Sequence, residues 1–206
     1  MQTTITASRV EVMAISTSGD TRREQIIEAA RAVCLDIGFD KLTVSDIASR
    51  VGMTRSLFYH YFPDKDAVAD AVLDDVISDM LSQLEHWNNT RETGNIAKAL
   101  DDIVLLTRSI IADEGPFSTR LMHAGNAGLY IRFVDRAVTR ISDYICDSVV
   151  LDFERLHGLP ISNVHETFFM LIVGLISLLR THPDISDDTL KALIAQTLHI
   201  ESYVYK

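Results

Sequence analysis

The sequence predicts an all-α fold, a three-helix head followed by a larger helical body, about nine helices in all. Apolar residues recur at spacings of three and four along most of the chain, and no stretch alternates in the manner of a strand. Nine glycines and four prolines in 206 residues are too few for a fold of many short strands and turns. A hydrophobic content of 47% is enough to build a core.

Residues 1–19, rich in Thr and Ser, read as a tail. The first helix is expected from Asp20 to Ile37, where Ile26, Ile27, Ala30, Val33, Cys34 and Ile37 share a face, and Gly38 stops it. Thr43 with Asp46 three residues on forms a capping box that opens a second helix, ending near Arg50. Gly52 makes the turn, and Thr54 caps a short third helix to about Tyr61. Pro63 breaks the chain, and Asp64 can cap a fourth helix to about Trp87. The body, 67–206, continues with a helix through Ile96, Leu100, Ile103, Thr107 and Ile110 that ends at Gly115-Pro116. A short helix is expected from Phe117 to Ala124, a long one from Leu129 to Leu156, and two more over Ser162–Arg180 and Ser186–Tyr203.

The net charge of −10 opposes contact with phosphates by the chain as a whole. Between Asp20 and Asp66, however, seven basic residues nearly balance eight acidic ones, so the excess acid lies elsewhere. Cys34 and Cys146 are far apart in helical patterns and read as small apolar residues, with neither a disulfide framework nor a metal-ligand spacing. No basic region followed by an apolar stretch opens the chain. The most apolar segment, Phe168 to Leu179, is shorter than a bilayer span. A cytoplasmic protein without membrane contact is expected. No metalloprotease, phosphate-loop, dinucleotide or nucleophile motif is present, so an enzyme is not expected, nor is a cofactor.

The densest local signal is TVSDIASRVGMTRSLFYHYF, Thr43 to Phe62. Two short helices that cross closely need a small residue at the crossing, which Ala48 supplies. The turn needs a residue tolerant of positive φ, which Gly52 supplies. Ile47, Val51, Met53 and Phe58 then face the crossing. The second helix turns Arg55, Ser56, Tyr59 and His60 outward, with Tyr61 at its end. Arg can fork onto guanine, while Ser and Tyr hydroxyls reach phosphates or base edges. Thr43 and Ser45 open a helix whose free N–H groups favour a phosphate, and Lys65 opposes the dipole of the fourth helix, as a phosphate contact would explain.

From about Thr21 to Leu73 the chain resembles the DNA-binding domain of the TetR family of bacterial regulators. The resemblance is carried by Gly38-Phe39, Thr43-Val44, Ile47-Ala48, Val51-Gly52 and the run Phe58-Tyr59-His60-Tyr61-Phe62 before Lys65. It implies an all-helical homodimeric repressor, with the head at 20–66, a partly palindromic double-stranded operator, and release by a small molecule bound in the C-terminal half. By position it implies DNA contacts from Thr43, Ser45, Arg55, Ser56, Tyr59, Tyr61 and Lys65.

The helix around Phe168–Leu179 is apolar almost all round and must be covered on every side, by its own chain or by a second copy. The resemblance implies a four-helix interface with the last helix, and Phe168, Ile172, Leu175, Leu178 and Leu179 are the expected contacts. Trp87, His123, Asn126, Tyr130 and Phe133 are candidates for the pocket of a small, mainly apolar effector, since rings with a few polar groups orient such a ligand. The near-neutral head also leaves open a helical protein-interaction adaptor that does not bind DNA.

Overall fold

The computed structural model describes residues 18–113, 117, 121 and 127–205. Among the described residues the architecture is helical, with no strand. The chain divides between Leu73 and Asp74 into two compact units.

The first unit holds α1 (Ser18–Ile37), α2 (Val44–Val51) and α3 (Arg55–Tyr61), followed by the start of α4 (Lys65–Thr90). The caps are those the sequence specifies. Thr43 accepts from Asp46 N at 3.2 Å, and the Asp46 carboxylate accepts from Thr43 N at 3.1 Å. Thr54 Oγ1 accepts from Leu57 N at 3.2 Å, and Asp64 Oδ1 accepts from Ala67 N at 2.8 Å. Gly52 stands at φ 68°, ψ 41°, and Met53 N–H closes the turn onto Ala48 O at 2.9 Å. α1 packs on α2 and α2 on α3. Ile26, Ala30, Cys34, Ile47 and Phe58 are buried, and Arg23 lies over the Phe62 ring at 5.0 Å.

The Gly52 turn gives a direct test. A Cβ there would meet nothing within 4 Å, so only the left-handed backbone opposes a side chain. Gly52→Ala is expected to lower stability by about 1–2 kcal/mol, with Gly52→Asn costing less. Urea unfolding checks this; an unchanged midpoint for the alanine variant would contradict the turn.

The second unit holds the rest of α4, α5 (Ile96–Asp113), α6 (Ala127–Ile145), α7 (Leu151–His157), α8 (Val164–Thr181), α9 (Asp187–Thr197) and α10 (Glu201–Val204). α6 and α7 are joined by a π-helical segment, Cys146–Val150, and form one rod over the span where one long helix is expected. The expected last helix is instead two. Its chain turns at His199 (φ 54°), where Ile200 N–H bonds back to Ala195 O at 2.9 Å. The helix expected at Phe117–Ala124 falls largely outside the described residues. α6 packs against α8, α5 against α9 and α10, and α9 against α8 and α10. Leu100, Val104, Leu179, Leu190 and Ala195 centre the core of this unit.

α8 is longer than the apolar run in the sequence. Its 18 residues are long and apolar enough to cross a membrane by length and composition alone. Its two faces differ, however. Phe168, Leu171, Leu175 and Leu178 pack against the core cluster, whereas Glu166, Met170, Val173, Gly174, Ser177 and Thr181 are exposed along one stripe.

Candidate nucleic-acid interface and body cavity

α3 has seven residues, and Phe58 alone among them is buried. A 3.6-residue period that points one side chain inward leaves the others outward. Arg55, Ser56, Leu57, Tyr59 and His60 are exposed, and Tyr61 is half-buried with its ring 5.6 Å from that of His60. Phe58 meets Tyr59 edge-on at 5.7 Å and Phe62 at 5.9 Å. Arg50, at the end of α2, is held by Asp36 at 2.7 Å. Arg55 and Lys65 are exposed and have no ion pair among the described residues.

The second unit contains a cavity of about 280 Å³, walled mainly by aliphatic side chains of α4 to α8. Of the expected pocket residues, Trp87 and Phe133 line it. Tyr130 is not among its lining residues, but its hydroxyl accepts from Arg180, which does line it. His123 and Asn126 lie outside the described residues. Sequence reading missed the charged groups: Arg91 pairs with Asp152 at 2.7 Å on the cavity wall, and Arg91 Nε donates to Asn88 at 2.7 Å. The Trp87 indole N–H is buried without an acceptor.

Both thiols are held towards their protonated form. Burial pushes Cys34 up to about 12. Cys146, half-buried in the π-helical segment, is also raised, first by burial and then by Asp147, Asp143 and Glu166.

Residues 26–72 match the family described as bacterial regulatory proteins, tetR family. Over those residues the chain is similar to that family's helix-turn-helix domain. An HTH-type transcriptional repressor of Mycobacterium tuberculosis is 43% identical over 47 residues, which are 23% of this chain and 25% of that protein. The match thus spans about a quarter of the relative's length. Two solved structures share the fold over most of the chain. A tetR-family transcriptional regulator from Streptomyces coelicolor has a TM-score of 0.58 at 20% identity, covering 90% of this chain and 87% of that one. A transcriptional regulator from Cytophaga hutchinsonii has a TM-score of 0.55 at 20% identity, covering 90% and 97%.

Within the TetR-type head, the geometry sorts the expected contacts. Ser45, Arg55, Ser56, Tyr59, His60 and Lys65 are exposed, with no side-chain hydrogen bond among the described residues. Thr43 differs. Its hydroxyl donates to Asp46 Oδ2 at 2.6 Å while accepting from Asp46 N, and its own N–H is bonded to the same carboxylate. A phosphate accepts hydrogen bonds and needs a donor, so Thr43 has none to give and serves as a cap. Thr54 keeps an uncommitted hydroxyl proton at the start of α3, a donor that the sequence reading treated only as a cap.

The faces of α8 require a larger correction. Leu179 is buried, Phe168, Leu175 and Leu178 pack on the core, and Ile172 lines the cavity. Leu179 is thus closed off, while the other four, expected to meet a second copy, are half-buried against their own unit. The outward stripe carries Met170, 73% exposed, with Val173, Gly174 and Ser177, and α9 exposes Leu193.

Proposed function

We propose that the protein is a homodimeric transcriptional repressor of the cytoplasm that binds a partly palindromic operator through α3 and releases it when a small molecule occupies the body cavity. The observation that carries this reading is α3 itself, a helix anchored by Phe58 alone whose outward face presents an unpaired Arg55 with Ser56, Tyr59 and His60. Repression is supported by the likeness of the head to the mycobacterial repressor. The adaptor reading gains no support from an arginine left unpaired on that face.

Gel shift of genomic fragments tests the reading, and two substitutions divide the roles. Arg55→Ala is expected to cost about 1–3 kcal/mol and relax specificity at one base pair, as loss of a fork onto guanine would. Lys65→Ala is expected to weaken all sequences alike and flatten the salt slope by about one unit. Equal losses for Arg55→Ala across a panel of operator variants would contradict its role.

The dimer is assigned to the outward stripe of α8. Gly174 lies in mid-helix, where glycine costs about 1 kcal/mol relative to alanine. A Cβ there would meet nothing within its own chain, so the fold of one copy does not require the glycine. A second helix approaching closely would. For the effector, the unpaired Trp87 N–H in the cavity wall is the support, since a buried donor without an acceptor costs about 1–3 kcal/mol that a ligand acceptor relieves. α4 is continuous from Lys65, just after α3 in the chain, to Trp87 on the cavity, and is the element proposed to couple the two events.

A further inference from the structure

The cavity lining extends far along two helices. Its lining follows α8 from Val164 to Arg180 and α5 from Ile96 to Ile111, about 22–24 Å at 1.5 Å per residue. About 280 Å³ drawn out over that length suits a chain better than a bulky ring system. Leu84, Leu100, Ile103, Ala137, Ile141 and Ile172 make its wall aliphatic between the ends.

Charge separates the two ends. Arg91 is bonded to Asp152, and Arg180 to Tyr130. Tyr130 and Asp152 stand roughly 30 Å apart along the α6–α7 rod, so the two arginines mark opposite ends. At the first end Glu92 and Asp152 outnumber Arg91, which repels an anion. At the other, Arg180 is half-buried and has no carboxylate partner among the described residues. One guanidinium nitrogen donates to the Tyr130 hydroxyl, and the Tyr130 ring lies 5.5 Å from the guanidinium carbon. That contact orients the group without neutralising it. Its remaining N–H groups match the fork that a carboxylate accepts, and an apolar wall strengthens such a pair.

We propose, on the reading that this cavity is the effector site, that the effector is a single-chain amphipathic carboxylate, its hydrocarbon lying along α8 and its carboxylate held by Arg180. Ring systems and neutral chains lack one or the other match.

Trp87 lines the cavity and is the chain's single tryptophan, so its fluorescence reports occupancy. The full-length protein is titrated, below micelle formation, with straight-chain carboxylates from octanoate to stearate and with the alcohols of equal length. The carboxylates are expected to saturate the signal and to bind at least tenfold more tightly than the alcohols. Arg180→Ala is expected to abolish that preference while leaving alcohol binding in place, and Arg180→Lys to keep part of it. Tyr130→Phe, which leaves the guanidinium, is expected to retain the preference. Equal binding of acids and alcohols, or a preference that survives Arg180→Ala, would overturn the proposal. A Trp87 signal unmoved by any of these compounds would overturn it as well. The effector reading stands separately: it survives if other small molecules change operator affinity and falls if none does.

Discussion

Replacing Met170 and Val173 by Glu is expected to convert the protein to a folded monomer. Both side chains lie on the outward stripe of α8, Met170 73% and Val173 36% exposed, so a carboxylate at either is compatible with the fold of one copy. At a two-fold interface each new charge meets its own copy, and neither finds a counter-ion. Sedimentation should show the monomer and circular dichroism an unchanged helix content. Operator affinity should then fall by about 10²–10⁴, because two half-sites are no longer engaged together. A stable dimer in the double variant would remove α8 from the interface. Leu175→Glu and Leu178→Glu report something else, since those side chains pack on the core of their own unit and the variants should unfold it.

Phe58→Ala is expected to destabilise the head by about 3–5 kcal/mol, the usual loss for a fully buried phenylalanine. The consequence is larger than the number suggests. A seven-residue helix does not persist in water by itself, and α3 is held by this one buried ring, set between Tyr59 and Phe62. Urea unfolding should show the loss, and operator binding should vanish while the body keeps its helix content. Phe58→Leu, which retains most of the apolar volume, should lose less. An alanine variant with wild-type stability and wild-type DNA binding would contradict this anchoring.

The contrast between Gly52 and His199 shows what the sequence makes legible. Both residues sit in the left-handed region, and after each the next N–H bonds back to a carbonyl five residues earlier. At Gly52 the residue type announces the turn, because glycine alone adopts that backbone at no steric cost. At His199 nothing local does, and the apolar spacing runs on through Leu198, Ile200 and Val204, so one helix is read where two exist. The capping box at Thr43 was legible for the same reason as Gly52, being chemistry within one turn. Its consequence, that the hydroxyl proton of Thr43 is already committed to Asp46, is a matter of geometry.

The faces of α8 were illegible because a helix apolar nearly all round has no phase in its pattern. Only the partners it meets separate Leu175 and Leu178, turned inward, from Met170 and Val173, turned outward. The cavity joins residues far apart in the chain. Trp87 and Phe133 were found as aromatic candidates. Arg91, Asp152 and Arg180 carry no sequence signal, since a lone charge in a helix usually marks a solvated face.

If α3 reads a DNA sequence, the protein must discriminate between duplexes of equal length and composition. The most direct measurement is competition at physiological salt. A labelled duplex recovered by selection from genomic fragments is displaced by itself, by a scrambled duplex of the same composition, and by a duplex altered in one half-site. The account predicts that the selected duplex competes about 10³-fold or more better than the scrambled one. The half-site change should cost much of that advantage, and Arg55→Ala should narrow it. Equal competition by all three duplexes, with the wild-type protein folded and dimeric, would contradict the account.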